Sequence, residues 1–189
     1  TKHTDKNALA VMMMGTEATP PEVSPAKPGA PLLALSKVTT PDVGSVPGLK
    51  SVSLALKAGQ IVGLAGVSGN GQAAMADVVG GLLSPSCGQV ILGSETVQKW
   101  TPRVAVQSGI ARIPEDRHKK GTIADFDLIE NAVLERYKSP AFSKGGWMNW
   151  RKSRAFADGI IDKYDVRCPG SDTPIRLLSG GNMQKLILG

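Results

Sequence analysis

One stretch constrains this chain more than any other: Gly63-Leu64-Ala65-Gly66-Val67-Ser68-Gly69-Asn70-Gly71-Gln72-Ala73. An apolar, β-prone run, Ile61-Val62-Gly63-Leu64, feeds a glycine-rich turn, and Ala73–Val79 then reads as a helix. Successive backbone N–H groups in such a turn form an anion-sized cradle, and the helix N-terminus adds partial positive charge. The usual phosphate loop, G-x-x-x-x-G-K-[S/T], places a lysine on the outer phosphates and a hydroxyl on Mg²⁺. Gly66 and Gly71 keep that spacing, but Gln72 and Ala73 stand where the lysine and the hydroxyl belong. On these residues alone the stretch is either a phosphate cradle or a tight strand-to-helix turn.

The remaining composition narrows the class. The chain has 189 residues, 41% hydrophobic and 20% charged, which suits a globular domain with a sizeable core. Its net charge of +6 permits an acidic partner without demanding one. No apolar run approaches a membrane span and no signal peptide opens the chain. Cys87 and Cys168 are isolated, with neither metal spacing nor a disulfide framework, and read as packed residues in a reducing setting.

Along the chain, Asp5–Met14 suits a short helix ended by Gly15, and Met12-Met13-Met14 reads as packing because adjacent helical residues point different ways. Thr16–Pro31 carries Pro20, Pro21, Pro25, Pro28 and Pro31 and reads as an extended linker. Strands are expected over Leu32–Val38, Leu49–Leu56, Gln60–Ala65, Gly88–Gly93 and Gly109–Ile113, with a short helix at Pro102–Gln107. Asp127 and Glu130 suggest a capping box ahead of a stripe pairing Leu128 with Ala132 and Ile129 with Val133. Phe156, Ala157, Ile160, Ile161 and Tyr164 mark the buried face of a second helix, leaving Arg151, Lys152, Arg154 and Lys163 off it. Arg117-His118-Lys119-Lys120 lies in a loop, where contact with an anion or partner is more plausible.

Leu178-Ser179-Gly180-Gly181-Asn182-Met183-Gln184-Lys185 is the second informative stretch. A serine followed by two glycines at a helix start offers a hydroxyl and free N–H groups at a positive helix end. Such a turn is weakly diagnostic alone and far stronger beside the glycine loop.

With these residues the chain resembles the ATP-binding subunits of ABC transporters: Leu178, Ser179, Gly180, Gly181 and Gln184 match the signature L-S-G-G-x-x-Q. It looks most like the second, C-terminal ATP-binding half of bacterial simple-sugar and nucleoside importers. That likeness rests on Gly66–Gln72, on Ile113-Pro114-Glu115-Asp116-Arg117 followed by Gly121, and on Leu178–Lys185. Tyr164–Gly170 and Asp172-Thr173-Pro174 resemble the nucleoside branch.

The resemblance implies an α/β fold, a P-loop NTPase of the ABC ATPase type with a mixed sheet core and a helical subdomain, incomplete at its C-terminus. Residues 1–15 would be the tail of a preceding ATP-binding domain, 16–31 the linker, and 32–189 an ABC domain truncated after the signature, its helical subdomain at about 116–177. Implied cofactors are ATP and Mg²⁺. Implied partners are transmembrane permease subunits, another ATP-binding domain fused upstream and, indirectly, a periplasmic or lipoprotein solute-binding protein; nucleic acid is not among them. The expected location is peripheral, on the cytoplasmic face of the plasma membrane.

In that family each ATP lies between the glycine loop of one domain and the signature of another. Ser179, Gly180 and Gly181 would then face the γ-phosphate on the partner's loop, with Gln184 supporting the turn. Gly66, Ser68, Gly69, Asn70, Gly71, Gln72 and Ala73 would form this chain's own nucleotide loop, with departures. The absent lysine removes a contact worth roughly 1.5–3 kcal/mol, and the absent hydroxyl removes a Mg²⁺ ligand, so no metal residue is assigned. Glu115 occupies the position of the glutamine that touches metal and attacking water, the one catalytic candidate here. An adenine-stacking aromatic is expected upstream of the loop, yet none precedes Trp100. Weak hydrolysis at this site follows, because phosphoryl transfer depends on positioning and charge stabilisation. The Asp-Glu strand and switch histidine are expected beyond Gly189, and His3 and His118 are out of place for the latter. The alternative is a non-transport ABC-type ATPase of DNA repair or translation control, which a long coiled-coil insert would favour. A P-loop kinase or GTPase fails on the missing lysine and hydroxyl.

Overall fold

The computed structural model describes residues 27–67 and 69–189, together with Leu9 and Met12. Most of the expected Asp5–Met14 helix, His3, the Pro-rich stretch up to residue 26, and Ser68 therefore lie outside the described residues.

The first half of the chain builds an antiparallel sheet. β1 (Pro31–Thr39) lies between β2 (Val52–Lys57) and β3 (Cys87–Leu92), and β4 (Glu95–Thr96) extends the edge, in the order β2-β1-β3-β4. Registry follows the hydrophobic alternation: Leu33 faces Leu92 and Leu56, while Leu35 faces Val90 and Leu54. β2 alternates half-buried and exposed positions, as its period-two pattern requires. It begins at Val52 rather than Leu49. Ser51 adopts φ 51°, which breaks the strand, and buried Leu49 exchanges hydrogen bonds with Thr40 instead. Gly48 permits that turn, because a Cβ there would strike the Thr40 carbonyl. Over this sheet packs α1 (Gln72–Val79), burying Ala74, Met75 and Val78 against Leu33, Leu35, Val38 and Val90. Trp100 closes the core from below, 4% exposed, with its indole N–H donated to the Val78 carbonyl at 2.6 Å. It is therefore a core residue and has no free face for adenine.

Two expected strands do not form. Gln60–Ala65 and Gly109–Ile113 have no ladder partner among the described residues, and Gly109 itself ends the preceding helix in a left-handed turn (φ 82°). Ile61 is 96% exposed and Val67 74%. A strand interior to an α/β sheet draws its burial and its hydrogen bonds from neighbours on both sides, and β-propensity cannot replace them. Arg112 fastens the second run to α1 through an ion pair with Asp77 at 2.9 Å.

The second half has its own core. After α2 (Pro102–Gln107), capped by Thr101, a single π-turn spans Arg117–Gly121, capped by the Asp116 carboxylate. α3 (Leu128–Ala132) opens on a full capping box: Asp127 accepts from the Glu130 N–H at 2.8 Å, and Glu130 accepts from the Asp127 N–H at 3.0 Å. β5 (Ser143–Lys144) and β6 (Trp147–Met148) form a small hairpin before α4 (Trp150–Lys163), whose buried face is Ser153, Ala157 and Ile160. α5 (Gly180–Leu188) completes the unit, packing Met183 and Leu186 against Leu128, Ile160, Val166 and Ile175. The basic residues of α4 face outward, and Arg154 forks onto Asp172 at 2.5 and 2.6 Å.

Candidate functional site

The two glycine-bearing turns begin α1 and α5, one on each core. At the glycine loop, Gly71 is the N-cap of α1 in the left-handed region (φ 93°, ψ 0°), a conformation that favours glycine, and no side chain caps the helix. Gln72, the first helical residue, folds back into the loop. Its Nε2 donates to the Val67 carbonyl at 2.9 Å and its Oε1 accepts from the Asn70 N–H at 3.1 Å. The amide lies so close to Gly66 that a Cβ on residue 66 would come within 2.5 Å of Nε2. The described part of the loop turns on left-handed Gly69 and Gly71, and one of its N–H groups is already satisfied by its own glutamine. Ala73 offers only a methyl group. Mg²⁺ requires oxygen ligands, and the methyl group of Ala73 stands where the loop's hydroxyl ligand belongs. The residues at this loop do not fit the metal.

The signature turn is organised differently. Leu178 is buried, and Ser179 is an exposed N-cap with extended backbone (φ −64°, ψ 152°). Its Oγ accepts from the Asn182 side-chain Nδ2 at 3.2 Å and, at 3.4 Å, from the Asn182 backbone N–H. Asn182 Oδ1 in turn accepts from the Arg167 N–H at 3.0 Å. On the next turn Arg117 donates to Gln184 Oε1 at 2.6 Å, and its guanidinium lies beside Gly180, 3.4 Å from where a Cβ would stand. Gly181 faces open space. Lys185 reaches the Asp165 carbonyl at 2.6 Å and its carboxylate at 3.1 Å, clamping a turn in which Asp165 has φ 49°. The outcome is a helix N-terminus with a held hydroxyl, two side-chain-free residues and a flanking guanidinium. These groups fit a phosphate oxygen.

The structure therefore gathers Ser179, Gly180, Gly181 and Gln184 at one helix start, and Gly66, Asn70, Gly71, Gln72 and Ala73 at another. Gly69 lies in the same loop with φ 88°, and Ser68 is outside the described residues. Glu115 is exposed just ahead of the π-turn, and no hydrogen bond among the described residues ties it to either turn. Sequence reasoning missed three residues: Asn182, Lys185 and the reach of Arg117. The Ser-x-x-Asn spacing was a usable signal, since residues three apart on a helix start are neighbours. Away from both turns, the Arg154 hydrogen bond holds the Asp172 carboxyl below its ordinary range and raises the guanidinium in return.

Comparison with known proteins adds the family. The ABC transporter family model matches residues 49–189. A guanosine import ATP-binding protein of Bacillus subtilis is 40% identical over 189 residues, covering 100% of this chain and 37% of that protein. A glucose import ATP-binding protein of Haloferax volcanii is 34% identical over 183 residues, 95% of this chain and 33% of its own length. A nucleoside import ATP-binding protein of Lactococcus lactis is 34% identical over 140 residues, 74% of this chain and 28% of its own. The chain spans about a third of the length of these relatives. Among solved structures, a dimeric ATP-binding cassette bound to ADP and Pi superposes with a TM-score of 0.63 at 22% identity, covering 83% of this chain and 67% of that one. A second cassette, in its ADP conformation, gives 0.59 at 20% identity, covering 84% and 63%. The fold is that of these cassettes, as the glycine loop and signature imply.

Proposed function

The chain belongs to the ABC transporter family, and on that footing we propose that it is an ATP-binding domain of an importer for a nucleoside or simple sugar. It acts as the second of two fused ATP-binding halves. Residues 32–189 form the domain, with a helical subdomain at about 116–177; 16–31 form the linker and 1–15 the tail of the first half. The relatives named for guanosine, glucose and nucleoside import support the substrate class, and their greater length supports a larger parent polypeptide. Permease subunits, an upstream ATP-binding half and, indirectly, a solute-binding protein are the partners. The subunit sits peripherally on the cytoplasmic face of the membrane; no helix among the described residues is long and apolar enough to cross one.

The observation that carries the reading is the difference in free donors between the two turns. At the glycine loop, Gln72 already holds the Asn70 N–H, and Gln72 and Ala73 stand where the lysine and the hydroxyl ligand belong. This site is degenerate: it binds nucleotide weakly and hydrolyses it poorly, with Glu115, at the position of the family's glutamine, as its catalytic candidate. At the signature, Ser179 is exposed, Gly181 faces open space and the Arg117 guanidinium flanks Gly180, so this half serves ATP seated on its partner's loop. ATP, when bound there, supplies the phosphoanhydride whose cleavage drives import. Ser179 donates to the terminal phosphate, the glycine pair lets it approach the helix N-terminus, and Arg117, steadied by Gln184, adds positive charge beside it.

Ser179→Arg in the assembled transporter tests the assignment. A bulky cation in place of the hydroxyl blocks the phosphate, so uptake and ATP turnover are expected to vanish while the protein still assembles. Unaltered uptake would overturn the signature role.

A further inference from the structure

We propose that Asn182 is a positioning residue that fixes the Ser179 hydroxyl as a hydrogen-bond donor, through a relay anchored in the turn after α4. The inference rests on Ser179 facing a partner's phosphate, as proposed above.

The relay has an assigned direction. The Arg167 backbone N–H can only donate, so the atom of Asn182 facing it at 3.0 Å is Oδ1. That choice turns Nδ2 toward Ser179 Oγ, at 3.2 Å. A serine hydroxyl has two acceptor lone pairs and one proton to give. Asn182 addresses the acceptor side twice, from its amide and from its backbone N–H at 3.4 Å. The proton is left to point away from Asn182, toward the open side at Gly181. A phosphate oxygen needs a donor there, and a hydroxyl turned inward would present only repelling lone pairs.

The relay is also held at its far end. Arg167 follows Asp165, whose left-handed backbone is clamped by Lys185 from α5 itself, and Val166 between them is buried in the same core as Met183. Ser179 is exposed, so packing does not fix its rotor. The amide of Asn182 does. The relay makes the hydroxyl's orientation depend on the seating of the 164–167 turn, and hence on the helix α4 that precedes it.

The test is a double-mutant cycle in the assembled full-length transporter. It reads ATP turnover, affinity for a non-hydrolysable ATP analogue and the unfolding midpoint. Ser179→Ala should cut turnover by roughly ten- to a hundredfold, the range for a hydrogen bond to a charged group. Asn182→Ala should cost about tenfold in turnover and weaken the analogue, with the midpoint nearly unmoved. In the Ser179→Ala background, Asn182→Ala should add nothing, because it acts through the hydroxyl. Asn182→Asp keeps the acceptor for Arg167 and suits a helix N-terminus, but gives Ser179 an acceptor in place of a donor. It should fold at least as well as wild type and turn over less than Asn182→Ala. Full turnover and analogue affinity in either Asn182 variant, or losses that simply add to those of Ser179→Ala, would overturn the relay and leave the signature role standing. A Ser179→Ala protein with undiminished turnover would overturn both. Should Asn182→Ala fail to fold, Asn182→Asp alone decides.

Discussion

At the glycine loop a helix starts on a left-handed glycine with no side-chain cap, and the first helical side chain turns back to satisfy the turn from within. At the signature a helix starts on a serine, and the side chains of the first two turns reach sideways, to Arg167, Arg117 and Asp165. Both turns use glycine and a helix N-terminus, the same backbone means of meeting an anion. They differ in who satisfies the donors. Gln72 consumes a donor of its own loop, whereas Asn182 spends its donor on the acceptor side of Ser179 and leaves the proton free. Glycine spacing makes the cradle possible; the residue following it decides whether the cradle is open.

The two turns also rest on different support. α1 sits on a sheet whose next expected strand, Gln60–Ala65, lies exposed, while α5 is pinned by Met183 and Leu186 inside a closed core. Ser179→Arg, expected to abolish uptake, is the most severe way to break the contrast. Next comes Ile175→Ala, which removes a fully buried side chain beneath the signature helix and should cost about 2–5 kcal/mol in chemical denaturation. Its effect on turnover should exceed that of the equally buried Val78→Ala, which loosens only the glycine-loop side; equal losses of turnover would erase the distinction.

A gain of function sharpens the contrast from the other side. Gln72→Lys with Ala73→Ser replaces the inward-folding amide with a cation and a hydroxyl. In the transporter whose other loop is disabled, nucleotide affinity should rise roughly ten- to a hundredfold by equilibrium binding, the range for a restored charge-assisted contact. No gain would mean that the loop is closed by something other than Gln72. Arg117→Ala removes the charge beside Gly180 and releases Gln184, and should lower turnover severalfold with little change in stability.

The smallest effect concerns Arg154 and Asp172, outside both turns. Because the ion pair lowers the Asp172 pKa on folding, its small contribution is present above the ordinary carboxylate range, near 3.9 for an unfolded chain, and is lost as pH falls through the lowered value. Asp172→Asn should therefore flatten the acid limb of the stability curve slightly and leave turnover at neutral pH unchanged.

Much of this was legible in the residues. The Asp127–Glu130 capping box, the Pro102–Gln107 helix and the stripe on α4 follow local rules of spacing and capping, and the structure has each of them. Gln60–Ala65 and Gly109–Ile113 were not legible in the same sense. Their apolar character is genuine, but a ladder needs a neighbour, and sequence pattern names no neighbour. Asn182 was passed over because its importance lies in a contact with Arg167, fifteen residues away across a turn.

The sequence alone determined where the two glycine-bearing helix starts fall, since glycine spacing and a serine at a helix start are local backbone chemistry. It also determined what the glycine loop lacks, because a missing lysine and hydroxyl need no coordinates to notice. Only the tertiary structure decided how the remaining donors are spent. A glutamine amide can fold inward or stay extended, and an asparagine can cap its own helix or bridge to another segment. Both choices depend on which backbone group lies within hydrogen-bond reach, a distance that chain packing sets and residue order does not.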